Sequence, residues 1–407
     1  MDGSLGFELT ETTIDRIHQA FAAGTLTARG LVNAYLKRIA AYDQLGPALN
    51  AIISLNPEAL AEAERLDAIF KTSGPVGPLH GIPIVVKDQA DVKGLPTTMG
   101  SVLFKGFMPD RDAFAVAKLR AAGAIILGKS TLGELGGGDT HGSLFGSTRN
   151  PFDIERTAGG SSGGSATCVS ANFCTVAVAQ EGFASIRRPS SWNGIVGMRP
   201  TQGLVSRGNV YAGWPSVSGS LGPMARTVSD AAKLLECMIG YDPADPVTAR
   251  GYGRVTGSLS AGLKRDSLKG ARIGILRESI GYASEPDSED FKAVDVAFQR
   301  SIGELAAAGA MIVDPVVIPE LKALLAKRAG DRATEEESFR NYFGPCRNAP
   351  FKTRDEAAAS PLFAQVTRGS QDRWTRASAP GAYGEYLKAR EDLMTRSEEH
   401  TSELQSH

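Results

Sequence analysis

The sequence predicts an α/β fold, a mixed, largely parallel sheet between helical layers. Three observations predict it. Short apolar or β-branched runs alternate with helical stretches along much of the 407 residues. Such alternation builds a mainly parallel sheet covered on both faces. The chain is 42% hydrophobic and 22% charged, and at this length it can bury a substantial core without disulfides or metal staples. Of the 46 glycines, 20 lie between Gly123 and Gly222. Set among apolar runs, they mark backbone that turns sharply or approaches a ligand, not a linker.

The elements follow in order. Ile14, Ile17, His18, Phe21 and Ala22 fall at helical spacing, with Thr12 or Thr13 as cap and Gly24 as stop. A second helix starts after Thr27 and carries Leu31, Val32, Tyr35, Leu36 and Ile39. Residues 51–54 read as a short strand and Pro57–Phe70 as a helix. Ile82-Pro83-Ile84-Val85-Val86 is an apolar run that ends at Lys87-Asp88, hence a buried strand with a charged end. Helices are predicted over Asp112–Ala122, Ser161–Ala171 and Thr227–Ile239, with strands at Ala124–Leu127 and Thr175–Ala179. Asp242–Lys269 is a polar, Gly-rich connection. Arg272–Leu276, Phe291–Ala308 and Met311–Val317 then read as strand, helix and strand.

Composition excludes several classes. Lys plus Arg is 44 and Asp plus Glu is 45, a net charge of -1. That balance argues against nucleic-acid binding by counterion release and against a polybasic membrane surface. No apolar run approaches the ~20 residues of a membrane-spanning helix. Cys168, Cys174, Cys237 and Cys346 form no CxxC pair, so reduced thiols in a cytoplasmic protein are expected. Residues 1–11 lack a basic n-region and an apolar h-region, so no signal peptide is expected.

Two motif matches fail on context. Gly123, four residues, then Gly128-Lys129-Ser130 fits a phosphate-binding pattern. The intervening Ala-Ile-Ile-Leu favours strand, whereas a phosphate cradle needs bent loop with inward N–H groups. Gly160-Ser161-Ser162-Gly163-Gly164 contains G-x-S-x-G, but the only later histidines, His400 and His407, lie in a polar tail. A Ser-His-Asp order is therefore disfavoured. No HExxH, His/Cys cluster or carboxylate cluster has ligand spacing, so neither metal nor cofactor is expected. What remains is a Ser- and Gly-rich loop and Lys87 at a strand end. A desolvated, neutral lysine can serve as base for a serine. The residues alone leave open whether Lys87 is desolvated or is solvated and paired with Asp88.

Several long blocks carry a resemblance. Thr157-Ala158-Gly159-Gly160-Ser161-Ser162-Gly163-Gly164-Ser165-Ala166 resembles the signature block of the amidase signature family, and Ser185-Ile186-Arg187-Arg188-Pro189 resembles its nucleophile block. Leu79-His80-Gly81 through Lys87-Asp88 is similar to the block that holds the family's lysine. Gly146–Pro151, Gly194–Arg207 and Gly222–Asp230 match further segments in order. The resemblance runs from about Leu9 to about Pro246 and fades beyond.

It implies a Ser–Ser–Lys triad. Ser185 is the implied nucleophile, Ser161 the bridging serine behind a cis Gly160–Ser161 peptide, and Lys87 the base. The implied oxyanion hole is the backbone N–H groups of Gly182, Phe183, Ala184 and Ser185. Gly136, Gly137 and Gly138 match a loop that lines the acyl pocket. Many members have Asp-Thr-Gly-Gly-Ser where this chain has Glu181-Gly182-Phe183-Ala184-Ser185. That departure places a phenyl ring and a methyl group beside the reacting centre, and Phe183 is read as substrate-binding. Ser162 is read as support for the loop.

The resemblance implies hydrolysis of amide C–N bonds, and of carbamates (urethanes) or esters, through an acyl-serine. Ser185–Arg207 resembles members that act on aryl amides and urethanes, and Phe183, Trp192 and Trp214 suit planar apolar substrates. The alternative is an amidotransferase subunit that delivers ammonia to a partner. A small-molecule substrate is expected for a monomer or homodimer, with no nucleic acid or membrane partner. The expected layout is one amidase domain over 1–396, with a signature core at about 75–240 and a variable insertion at about 242–270. A polar segment over 397–407 reads as a disordered or non-native tail, and the C-terminus reads as shortened relative to the family.

Overall fold

A computed structural model describes residues 6–211, 219–281, 285–327, 332–376 and 381–405. The chain forms two compact units, Met1–Ala261 with Thr334–Arg376, and Gly262–Ala333 with Ala377–His407.

The first unit opens with α1 (Ile14–Ala22) and α2 (Ala28–Tyr42), each begun by a threonine whose hydroxyl accepts a backbone N–H. Thr13 and Thr27 satisfy donors that a helix start otherwise leaves unpaired. Strand β1 (Ile52–Leu55) leads into α3 (Ala59–Ser73), and β2 (Pro83–Lys87) leads by way of α4 (Phe114–Ala121) to β3 (Ile125–Ser130). Strands β2 and β3 are buried at every residue. Gly128, Lys129 and Ser130 of the phosphate-loop pattern are therefore strand, as their apolar neighbours predict.

Two small antiparallel pairs follow: β4 (His141–Gly142) with β5 (Gly146–Ser147), and β6 (Arg149–Asn150) with β7 (Asp153–Thr157). Helix α5 (Gly163–Ser170), β8 (Val176–Glu181), α6 (Arg187–Trp192), β9 (Val196–Gly197), β10 (Ser220–Ala225) and α7 (Val228–Met238) complete the core.

Six strands form one sheet in the order β1-β3-β2-β8-β10-β9. The pairings of β2 with β3 and β8 are parallel. Those of β1 with β3, β10 with β8 and β9 with β10 are antiparallel. The sheet is thus mixed, and parallel only at its centre. Helix α5 packs on β2 and β8, and α7 on β10. The small residues Gly163, Gly164, Ser165 and Ala166 of α5 are all buried. They let the helix lie close to the sheet.

Residues 334–376 return to this unit, and their sequence pattern assigns them to no element. There α10 (Arg332–Phe343) follows α9 (Leu321–Ala326), which belongs to the second unit. Phe339, Tyr342 and Phe343 join Met99, Phe104, Phe107, Tyr211 and Trp374 in a second buried cluster. Phe104 and Phe343 stack with centroids 5.2 Å apart. Helices α11 (Arg354–Ala359) and α12 (Arg368–Thr375) complete the segment.

The second unit holds a parallel pair, β11 (Arg272–Gly274) with β12 (Met311–Val313), and α8 (Glu289–Ala307) packed on β12. Helix α13 (Ala382–Gln405) packs on α9 and continues into the segment read from sequence as a polar tail. Among the described residues, all four cysteines are free and no helix is long and apolar enough to cross a membrane.

Candidate active site

Strand β2 delivers Lys87 to the interior because its whole run is apolar and covered on both faces. Lys87 is fully buried, with Nζ 2.8 Å from Ser161 Oγ and 3.2 Å from the Gln180 carbonyl oxygen. Burial holds its amine well below the ordinary lysine range, and the Glu181 carboxylate opposes that shift. Asp88 does not pair with Lys87. It pairs with Lys129 at 3.0 Å, which closes the alternative left open by the sequence.

Ser161 follows a cis Gly160–Ser161 peptide. A side chain at Gly160 would meet the Gly138 carbonyl oxygen at 2.2 Å and Asp139 Cα at 2.7 Å. Only glycine lets these two loops touch. The Ser161 carbonyl accepts from Gly133 N at 2.9 Å. Ser162 braces the loop on two sides. Its N–H donates to the Ser185 carbonyl at 3.2 Å, and its Oγ donates to the Gln180 carbonyl at 3.1 Å. The Gln180 oxygen thus receives both Lys87 and Ser162.

Ser185 is half-buried, on the turn between β8 and α6. Among the described residues its hydroxyl makes no hydrogen bond, so Lys87 and Ser161 are joined while the Ser161–Ser185 contact is not closed. Catalytic hydrogen bonds are often loose without substrate and tighten in the complex. Gly182 and Ala184 are half-buried, and Phe183 is 48% exposed.

Glu181 orders this turn, and sequence reasoning missed its role. Its fully buried carboxylate accepts from Ile186 N at 2.8 Å and Arg187 N at 3.0 Å, and from Arg187 Nε at 2.8 Å. A carboxylate that accepts the first N–H groups of α6 fixes the approach to that helix. The signal in the sequence was an acidic residue four positions before Ser185 at the end of an apolar strand.

Arg373 was also missed. Its Nη2 donates to the Glu134 and Gly137 carbonyls, each at 3.3 Å, and to Ser370 Oγ at 2.8 Å. A side chain at Gly137 would meet Arg373 Nε at 2.8 Å. The loop Gly136–Gly138 therefore lies between Arg373 and Gly160. Beside it Arg188 pairs with Asp139 and lies 5.2 Å from the Trp192 ring centroid. Trp192 is 46% exposed, and Trp214 lies outside the described residues.

The arrangement can move a proton. A neutral Lys87 can accept from Ser161, and Ser161 in turn from a hydroxyl that approaches it. Among the described residues no three His, Cys, Asp or Glu side chains gather as a metal site. No described histidine bonds to Ser161, Ser162 or Ser185; His141 Nδ1 lies against Ser147 Oγ, and His18 Nε2 against the His80 carbonyl.

Comparisons with known proteins show the family. Over 369 residues the chain is 37% identical to a glutamyl-tRNA(Gln) amidotransferase subunit from Bdellovibrio bacteriovorus, spanning 89% of this chain and 71% of that one. It is 37% identical to the corresponding protein of the same name from Thermosynechococcus vestitus over 74% of this chain, and covers only 60% of that protein. The peptide amidase of Stenotrophomonas maltophilia superposes with a TM-score of 0.83 at 34% identity, covering 93% of this chain and 79% of that structure. The Amidase family description matches residues 30–405. With that match over most of its length, the chain belongs to the amidase signature family and is an enzyme of that family.

Proposed function

We propose that this chain cleaves an amide C–N bond through an acyl-Ser185 intermediate. The observation that carries the reading is the fully buried Lys87 amine 2.8 Å from Ser161 Oγ. Lys87 starts neutral and takes the Ser161 proton as Ser161 takes that of Ser185. The Ser185 oxygen adds to the carbonyl carbon, and the resulting oxyanion meets the N–H groups of residues 182–185. Each preorganised donor of this kind contributes about 3 kcal/mol to transition-state stabilisation. The C–N bond breaks as the same relay returns the proton to the leaving nitrogen. Water then adds to the acyl ester and restores Ser185 by the reverse transfer.

The relatives named as amidotransferase subunits support a reading in which the ammonia released from the amide is passed to a partner protein. The half-exposed Phe183 and Trp192 support a second reading, in which the chain acts alone, as monomer or homodimer, on aryl amides or carbamates. The four free thiols fit a cytoplasmic setting for either.

The test has two arms. A fluorophosphonate should label Ser185, located by mapping the modified peptide; labelling elsewhere, with Ser185→Ala as active as wild type, would sink the acyl-serine reading. Ammonia release from glutamine is then compared with turnover of acetanilide and a phenyl carbamate. The amidotransferase reading stands if glutamine, used as a probe amide, turns over and its rate rises when partner proteins are added. It is lost if the aryl substrates are the better ones and Phe183→Gly removes that preference.

A further inference from the structure

Lys87 and Lys129 lie on neighbouring, fully buried strands and belong to opposite sides of the sheet. Lys87 registers with Ser130, whose Oγ lies 2.7 Å from Ser165 Oγ on α5. Successive strand residues face opposite ways, so Lys129 turns from α5 toward the 96–98 loop. There its Nζ lies 3.2 Å from the Pro96 carbonyl, 3.0 Å from Thr97 Oγ1 and 3.0 Å from Asp88 Oδ1. Asp88, next in chain to Lys87, takes Thr98 N at 3.0 Å on its other oxygen. Lys129 and Asp88 are both fully buried.

We propose that Lys129 is a positioning residue for the base: by holding Asp88 on the far side of the sheet, it cancels the charge of the carboxylate nearest in chain to Lys87. The inference rests on Lys87 acting as base. A buried carboxylate left alone one residue away would favour a protonated Lys87, which cannot take a proton from Ser161. The ion pair presents Lys87 with a dipole in place of a net charge. The neighbouring carboxylates do not replace it. Glu181, at the end of β8, acts on Lys87 in the opposite sense, toward the ammonium. Asp91, which accepts from Tyr342 Oη at 2.5 Å and lies in the fields of Lys129 and Arg111, adds a further negative group on the Lys129 side.

The test is a charge series read by the pH dependence of Ser185 labelling with a fluorophosphonate, which requires no knowledge of the substrate. Across the thickness of a sheet, unit charges roughly 10 Å apart at an effective dielectric of about 20 still shift an ionisation by about one unit. Lys129→Met should move the acid limb up by about one pH unit and slow labelling below the limb about tenfold. Asp88→Asn should move it down. The double variant Lys129→Met/Asp88→Asn should return it to the wild-type position. If Lys129→Met does not fold, the other two variants decide. A limb within about 0.3 units of wild type in Lys129→Met, or in Asp88→Asn where only that variant folds, overturns the inference. Lys87→Ala separates the two claims. If it labels at the wild-type rate, the base assignment itself fails; if it is silent while the series does not move, only the role of Lys129 falls.

Discussion

Lys87 and Lys129 are two fully buried lysines on adjacent strands of one sheet, and their surroundings could hardly differ more. Lys87 meets a hydroxyl and a carbonyl; Lys129 meets a carboxylate, a hydroxyl and a carbonyl. Burial penalises an ammonium, and only a nearby opposite charge at good geometry offsets that. The surroundings of one lysine thus favour an uncharged amine, and those of the other an ion pair. The partner, not the depth, decides what a buried lysine can do.

The largest effect should come from breaking the Lys87 side. Lys87→Ala and Ser161→Ala should each lower kcat/KM by about a thousandfold or more, and Ser185→Ala should abolish turnover. If the three act as the proposed relay, Lys87→Ala/Ser161→Ala should be little worse than either single variant. Steady-state kinetics check this, and additive losses would contradict a shared relay.

Stability should separate the lysines by sign. Lys129→Met leaves Asp88 buried without its cation and should cost about 3–5 kcal/mol in denaturant unfolding. Lys87→Met should stabilise instead. The Lys87 amine has a folded ionisation below its ordinary 10.5, so the unfolded chain binds more protons between the two values and wild-type stability rises with pH across that window. The advantage of Lys87→Met should be fullest below the folded value and gone above 10.5. Loss of stability in both variants would refute the contrast.

The activity of wild type should rise with pH as Lys87 loses its proton. Glu181→Gln sharpens this, because Glu181 favours the charged amine. Its removal should move the limb to lower pH while loosening the Ser185 turn, with roughly a tenfold loss at the plateau. A limb that moves up would contradict the assigned sign.

The smallest effect concerns Asp91, which burial pushes up to about 6 against the hydrogen bond from Tyr342. A raised carboxyl makes the folded chain bind more protons between 3.8 and about 6, so stability falls as pH rises through that window. Asp91→Asn should be more stable than wild type above pH 6 and no more stable below about pH 4. Thermal melts at the two pH values check it.

Much of the central sheet was legible because its strands are short and continuously apolar. The runs at 82–86, 124–127 and 175–179 became β2, β3 and β8 with only their ends changed. The antiparallel flanks were less legible. Strands β9 and β10 sit among glycines and prolines with no period to read, and their pairing joins residues far apart in chain. Segment 334–376 escaped for a similar reason. Phe339, Tyr342 and Phe343 look like an ordinary apolar face until Met99, Phe104 and Tyr211 are seen to receive them.

The sequence by itself determined the chemical inventory: a lysine closing a buried strand, serines in a glycine loop, a serine after an acidic turn, and no histidine or metal cluster to compete. Those are local facts, set by residue type and spacing. Tertiary structure alone decided the pairings. It sent Asp88 to Lys129 and not to Lys87, seated the Glu181 carboxylate on the N–H groups of residues 186 and 187, and laid Arg373 over Gly137. Charge and hydrogen-bond energies depend on distances of a few ångströms between groups remote in chain, and one-dimensional spacing does not carry those distances.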